Sequence, residues 1–259
     1  MKIALGLEYD GRRFCGWQYQ KHAVSIQLHV ERALGRVADH PLRVHCAGRT
    51  DAGVHAVGQI VHFESDAARD ERAWVFGVNT YLPGDLSVLW ARGVTDDFHA
   101  RFSATARAYR YLILNRPARP GLLAARATWE RRALDEVPMQ EAARHLIGEH
   151  DFSAYRAQGC QARSPIREVR RLDVVRHGVF LCIDIEANAF LHHMVRNIVG
   201  VLMAIGRGAA SPIWAKQVLE GRARARGGVT APPEGLYLTA VRYPERYALP
   251  DAPAWTWPV

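Results

Sequence analysis

The chain of 259 residues is 49% hydrophobic and 23% charged, enough apolar material for one large core or two modest ones, which excludes a disordered chain. No run approaches the ~18–20 uncharged apolar residues of a membrane span, and Met1-Lys2-Ile3-Ala4-Leu5 reaches Glu8 and Asp10 too soon for a secretory leader, so a cytoplasmic protein is expected. The formal net charge is +8 and all but three of the 34 cationic side chains are arginine (Lys2, Lys21 and Lys216 are the lysines), a bias that suits a phosphate-bearing ligand and that GC-rich coding would equally produce.

Residues 3–9 predict a strand ending at the Asp10-Gly11 turn. Ser25 can cap a helix whose Ile26, Val30, Ala33, Leu34 and Val37 recur at helical spacing, with Pro41 beyond its end. A strand over 42–46, a glycine-punctuated loop over 48–55, a strand over 59–64, a helix over 73–79 and a strand over 86–91 follow. The pattern then restarts with a strand over 109–115, a Pro/Arg-rich segment over 116–121 and a helix over 139–147. Strands over 167–175 and 179–187 read as a hairpin turning at His177-Gly178, with Val179, Leu181, Ile183 and Ile185 on one face. Helices over 192–205 and 212–219, the second with Pro212 in its first turn, precede a last strand over 235–243. Hairpins beside helices predict an α+β fold with largely antiparallel sheets. The expected domains are an α+β half over 1–105, a second over 106–247 and an irregular C-terminal arm over 248–259.

Cys15, Cys46, Cys160 and Cys182 show neither CxxC pairing nor zinc-finger spacing, so free thiols are expected. The most informative stretch is Ala47-Gly48-Arg49-Thr50-Asp51-Ala52-Gly53-Val54-His55-Ala56, which sets one carboxylate between two glycines and beside an arginine. A reactive aspartate needs an exposed position, a fixed backbone and a nearby cation, and glycines allow close substrate approach. An ordinary turn in which Asp51 bonds its own backbone satisfies the same residues. In 104–111 Tyr109 and Tyr111 share a strand face opposite Arg110, and an aromatic ring there could stack on an extruded base. Residues 187–197 bring polar groups to a helix start, where Arg196 could reach an anion, and Glu234-Gly235-Leu236-Tyr237-Leu238 offers an apolar strand to line a pocket.

In order and spacing, GRTDAGVHA, ATARAYRY, NAFLHHMVRNIVG and EGLYL resemble the tRNA pseudouridine synthase family known as TruA, over about residues 3–247. Gly159-Cys160-Gln161-Ala162-Arg163-Ser164-Pro165 is similar to a CQSRTP-type stretch of that family, departing at Ala162 and Ser164. The resemblance implies a pseudouridine synthase fold of two ferredoxin-like halves forming a central cleft. The activity it implies is the isomerisation of uridines 38, 39 and 40 in the tRNA anticodon arm: the C1′–N1 bond breaks, the uracil turns and C5 rejoins C1′. Asp51 is then the catalytic nucleophile, with attack on the base, attack on C1′ and a glycal route all open. Tyr109 stacks on the flipped uracil and is a catalytic candidate for helping to remove the C5 proton, Arg196 pairs with the carboxylate, Arg49 helps displace the nucleotide and Leu236 lines the base pocket. Extrusion of the base costs a few kcal/mol, and the isomerisation needs neither cofactor nor metal. A homodimer is implied as well.

A metal hydrolase drawing on His45, His55, His62, His192, His193 and Asp51 lacks an HExxH pattern, and His192 and His193 would point ~100° apart on a helix. A non-catalytic RNA-binding module of ferredoxin-like halves explains the charge and the tyrosines but not a glycine-framed aspartate beside an arginine. Candidate RNA-facing arginines are Arg12 and Arg13, then Arg163, Arg167, Arg170 and Arg171, with Arg222, Arg224 and Arg226 as a lesser comb.

Overall fold

The computed structural model describes residues 1–251, so most of the arm expected over 248–259 lies outside the described residues. The backbone sorts into two compact units, one of Met1–Thr105 joined by the strand from Tyr237 onward, the other of Ala106–Leu236. The last strand therefore groups with the N-terminal segment rather than with the residues that precede it.

In the first unit the apolar run between Lys2 and Glu8 becomes β1 (Lys2–Tyr9), and Ile3, Ala4, Leu5 and Leu7 are all buried. β1 pairs antiparallel with β3 (His55–Glu64) on one side and β4 (Leu86–Val94) on the other. β2 (His45–Cys46) extends the sheet beyond β3, which produces the ferredoxin-like order β4-β1-β3-β2. The strand expected over 42–46 is shortened because the Val44 amide donates to the Glu31 carboxylate (3.1 Å) instead of to the ladder. At the other end of β3, His55 and Ala56 lie parallel to Tyr237 and Leu238 of β10 (Leu236–Arg242).

Helix α1 (Ile26–Ala38) buries the Ile26, Val30, Ala33 and Leu34 stripe that defined it in the sequence. Ser25 holds the N-cap position, but its hydroxyl makes no capping bond. The helix expected over 73–79 opens as a wide π turn, Ala73–Gly77, before continuing as α2 (Val78–Tyr81). Trp74 drops from that turn edge-on to Phe63, with ring centroids 5.0 Å apart.

The second unit is built on β5 (Ala106–Asn115), antiparallel to β9 (Phe180–Ala187), which continues outward through β8 (Ile166–His177) and β7 (Gly148–Asp151). β6 (Thr128–Glu130) runs parallel beside the end of β5. At three and four residues, β6 and β7 are too short to display a sequence period. The β8–β9 turn uses Gly178 at φ 58°, a left-handed conformation that glycine adopts without steric cost. Leu181, Ile183 and Ile185 face the core as expected, whereas Val179 sits in the turn and is exposed. Helix α3 (Glu136–Arg144) starts earlier than its apolar spacing suggested, because Asp135 caps it by accepting from the Val137 amide, and Pro138 lies in the first turn where its missing N–H is no loss. α3 packs on β8 and on α4 (Met194–Gly206), which is apolar on nearly every side, and α5 (Trp214–Gly221) follows.

Each unit is thus a mixed α+β layer in which antiparallel pairing dominates, and the four cysteines are free of disulfides. Among the described residues no helix is long and apolar enough to cross a membrane.

Candidate active site

The glycine-framed loop leaves β2 at Cys46 and re-enters the sheet at His55. Its first residue is still tied to the sheet, the Ala47 amide donating to the Ile60 carbonyl at 2.8 Å. From there the side chains alternate: Arg49 is exposed, Thr50 is buried and Asp51 is half-buried. The Thr50 carbonyl accepts from the Trp17 amide (3.0 Å), and the Asp51 carbonyl accepts from the Val54 amide (3.2 Å), closing a turn through Gly53 at φ 78°. Gly16 backs this turn so closely that a Cβ there would stand 2.7 Å from the Thr50 carbonyl oxygen. The turn reading of Asp51 and the reactive reading therefore coexist: the main chain is a turn, and its fixed backbone is what a reactive carboxylate requires.

The loop's exit is pinned by a second set of contacts. His55, 2% exposed, accepts the Gly11 amide on Nδ1 (3.0 Å), lies 3.2 Å from Asp10 Oδ1 and stacks flat on Tyr237 with centroids 4.5 Å apart. Burial opposes charge on Asp10, but the Arg12 side chain and amide donating to it, with His55 alongside, hold its carboxyl below the usual range. Arg12 is thus engaged by Asp10 through Nε (2.8 Å), and Arg13 by Asp85 (2.6 Å), so the positive charge of this turn is largely matched by carboxylates.

In the second unit Tyr109 and Tyr111 point to one face of β5, as alternation requires, with different fates. Tyr111 is fully buried, its hydroxyl bonded to Thr128 Oγ1 and the Pro232 carbonyl (2.8 Å), and burial raises its pKa. Tyr109 is half-buried and meets Phe190 edge-to-face at 5.1 Å. On the opposite face Arg110 forms a two-pronged pair with its cross-strand partner Asp184 (2.7 and 2.9 Å).

Arg196 lies in the first turn of α4, and the segment after α5 holds it in place. Arg196 Nε donates to the Ala231 carbonyl (2.8 Å), and the Ala231 amide donates back to the Arg196 carbonyl (3.0 Å). One residue on, the buried Asn197 donates to the Tyr155 carbonyl (2.7 Å) and accepts from Thr230 (2.7 Å) and Arg224 (3.1 Å). Leu236, 6% exposed, follows Gly235, whose carbonyl accepts from the Leu112 amide on β5 (2.8 Å).

The arginine surface divides in a way that sequence spacing could not indicate. Arg163 is exposed. Arg167 is half-buried, donates to the Ser164 carbonyl (3.0 Å), and burial lowers its pKa. Arg170 pairs with Glu168 (2.9 Å), Arg171 pairs with Asp173, and both sit on the exposed side of β8. The 222–226 comb does not present three equivalent cations: Arg222 turns back to Asp151 (3.4 Å), while Arg224 reaches inward to Asn197, Gly228 and Thr230. His192 and His193 are also placed differently from expectation. α4 begins at Met194, and His193 is its N-cap at φ 58°, so the two imidazoles do not diverge as on a helix but lie 4.0 Å apart between centroids.

Tyr9, Gln59 and Asn197 carry no role in the sequence analysis and His55 only that of a candidate metal ligand, yet all four join segments far apart in the chain. The available signal was a glutamine within the apolar run of β3, a residue type seldom buried without a purpose.

The sequence model of the family described as tRNA pseudouridine synthase matches residues 7–103 and 142–244. The chain belongs to this family. The tRNA pseudouridine synthase A of Methylococcus capsulatus is 57% identical over 249 residues, 96% of this chain and 92% of that protein. That of Nitrosococcus oceani is 56% identical over 259 residues, 99% and 100% of the two chains, and that of Shewanella sediminis is 54% identical over 250 residues, 96% of each. Within this tRNA pseudouridine synthase family member, Arg49, Asp51, Arg196 and Leu236 fall inside the matched segments, and Tyr109 falls in the stretch between them.

Proposed function

We propose that this protein isomerises uridine to pseudouridine in tRNA, at positions 38, 39 and 40 of the anticodon arm. The observation that carries the reading is identity of more than half, over nearly the whole of both chains, to proteins named tRNA pseudouridine synthase A. The rigid, glycine-framed loop presenting Asp51 supports it, because a carboxylate on a pre-set backbone loses little freedom on reaching its target.

In this reading Asp51 is the catalytic carboxylate. The C1′–N1 bond breaks, the uracil turns within the enzyme, the C1′–C5 bond forms, the C5 hydrogen leaves as a proton and N1 takes one up. Atoms and electrons balance without a redox partner, and the reading includes neither cofactor nor metal. Tyr109 supplies the stacking ring and its hydroxyl helps remove the C5 proton, Arg196 supplies the positive charge that keeps the reacting carboxylate ionised, Arg49 occupies the place of the extruded nucleotide and Leu236 lines the base pocket. Arg12, Arg13, Arg163 and Arg167 contribute to the tRNA surface, with the first two re-pairing from carboxylate to phosphate on binding. The working divisions are a half over 1–105 completed by the strand from Tyr237 and a half over 106–236, in place of the 106–247 expected from sequence, with an arm over 248–259, and the protein acts in the cytoplasm as a homodimer.

Tritium release from tRNA carrying [5-³H]uridine, measured in EDTA for wild type and Asp51→Ala together, tests the reading. Release by wild type alone is expected. Binding of tRNA by both proteins with release by neither would leave a non-catalytic RNA-binding module in its place.

A further inference from the structure

Beneath the Asp51 loop the core of the first unit contains three polar side chains, Tyr9, Thr50 and Gln59, at 4%, 7% and 0% exposure. Polar groups out of reach of water are costly unless each finds a partner. Here they form one chain. Gln59 Nε2 places its two hydrogens on the Gly48 carbonyl (2.7 Å) and the Tyr9 phenol oxygen (3.3 Å), and Gln59 Oε1 accepts from the Ile60 amide (3.2 Å). The phenol and the Thr50 hydroxyl share a hydrogen bond at 2.9 Å.

The atoms held are specific to the loop's two functional positions. The Gly48 carbonyl and the Thr50 hydroxyl bracket Arg49, and Thr50 directly precedes Asp51. Thr50 is fixed twice, by its side chain to Tyr9 and by its carbonyl to the Trp17 amide (3.0 Å). With Thr50 held inward, Arg49 and Asp51 on either side of it are turned toward the surface. A connected chain of buried polar side chains holds its members in one geometry.

We propose that Tyr9, Gln59 and Thr50 are positioning residues that hold Asp51 and Arg49 in their reactive pose. The proposal rests on the reading of Asp51 as the catalytic carboxylate. Misplacing a reacting group by about 1 Å costs on the order of 100-fold in rate, so removing one link acts on turnover more than on binding.

The test compares Thr50→Val, Thr50→Ser, Tyr9→Phe and Asp51→Ala in the full chain. The readouts are single-turnover rates at saturating tRNA, Kd for tRNA, and amide hydrogen exchange across 47–54. Thr50→Val and Tyr9→Phe are expected to slow turnover roughly 10- to 100-fold, leave Kd within about threefold and speed exchange in the loop. Thr50→Ser, which keeps the hydroxyl, is expected to restore the rate. A wild-type rate in Thr50→Val beside an inert Asp51→Ala overturns the positioning role alone, as does a serine variant as slow as the valine one. Turnover surviving in Asp51→Ala overturns the reading of Asp51 and the positioning role with it. Should Tyr9→Phe fail to fold, the Thr50 pair decides the matter.

Discussion

Gly200 offers a perturbation whose sign the structure reverses. It lies in α4 one turn beyond Arg196, on the same helical face. In an ordinary helix interior, glycine to alanine stabilises by about 1 kcal/mol. Here a Cβ would stand 1.8 Å from the Val229 carbonyl oxygen and 3.0 Å from its carbon, against the 3.4 Å at which ordinary contact begins. The 229–231 segment must therefore retreat by roughly 1.6 Å, the difference between those oxygen distances. That is enough to break both hydrogen bonds joining Arg196 and Ala231, at 2.8 and 3.0 Å. Losing one neutral bond and one charged bond costs about 2.5–4 kcal/mol. After the ~1 kcal/mol helix gain is subtracted, with the strain relieved by movement of the segment, Gly200→Ala is expected to destabilise by about 1.5–3 kcal/mol. Urea unfolding followed by circular dichroism measures this, and single-turnover assays on tRNA read the consequence, a loss of at least about tenfold as Arg196 is released. A variant with a higher urea midpoint and an unchanged rate would refute the close-packing argument and the role given to the Ala231 clamp.

Three further outcomes are expected. Asp51→Asn keeps the turn and tRNA affinity while turnover falls below about a hundredth of wild type; a larger residual rate argues against Asp51 as nucleophile or essential base. Tyr109→Phe preserves the edge-to-face contact with Phe190 (5.1 Å) and tRNA binding but slows turnover about 10- to 100-fold, so a near-normal rate would reduce the tyrosine to a stacking platform. Glu130 provides a pH signature: burial pushes its carboxyl up, yet bonds from Arg132 and Arg207 outweigh this and bring it down to about 2 from an ordinary 4.5. A group depressed on folding stabilises above its unfolded value and loses that contribution as pH falls toward the folded one, so stability should decline between about pH 4.5 and 2. The displacement corresponds to roughly 3 kcal/mol, cut to about 1–2 kcal/mol because Arg132 is 63% exposed and solvent screens it. Chemical unfolding across that range should flatten in Glu130→Gln, and an identical slope in both proteins would contradict the assignment.

Much of the secondary structure was legible because its causes are local. β1, α1, the β8–β9 hairpin and α4 follow from apolar periodicity, and Gly178 marks its turn by the left-handed backbone it allows. Where a non-local partner intervened, expectation and structure parted. Glu31 drew the Val44 amide out of β2, and Asp135 started α3 ahead of its apolar stripe. Two very short strands formed only because β5 and β8 provided edges for them.

The candidate site divides along the same line. By itself the sequence determined the α+β elements, the family, and the loop in which a carboxylate, an arginine and two glycines stand together, since contiguous residues declare a contiguous turn. Only the tertiary structure decided what holds that loop and which arginines are engaged. Tyr9 and Thr50 are 41 residues apart, Arg196 and Ala231 are 35 apart, and Arg13 meets a carboxylate 72 positions away. Such pairs leave no period in the chain; they exist because strand register and close packing bring particular atoms within hydrogen-bonding distance, and that distance is a property of the fold.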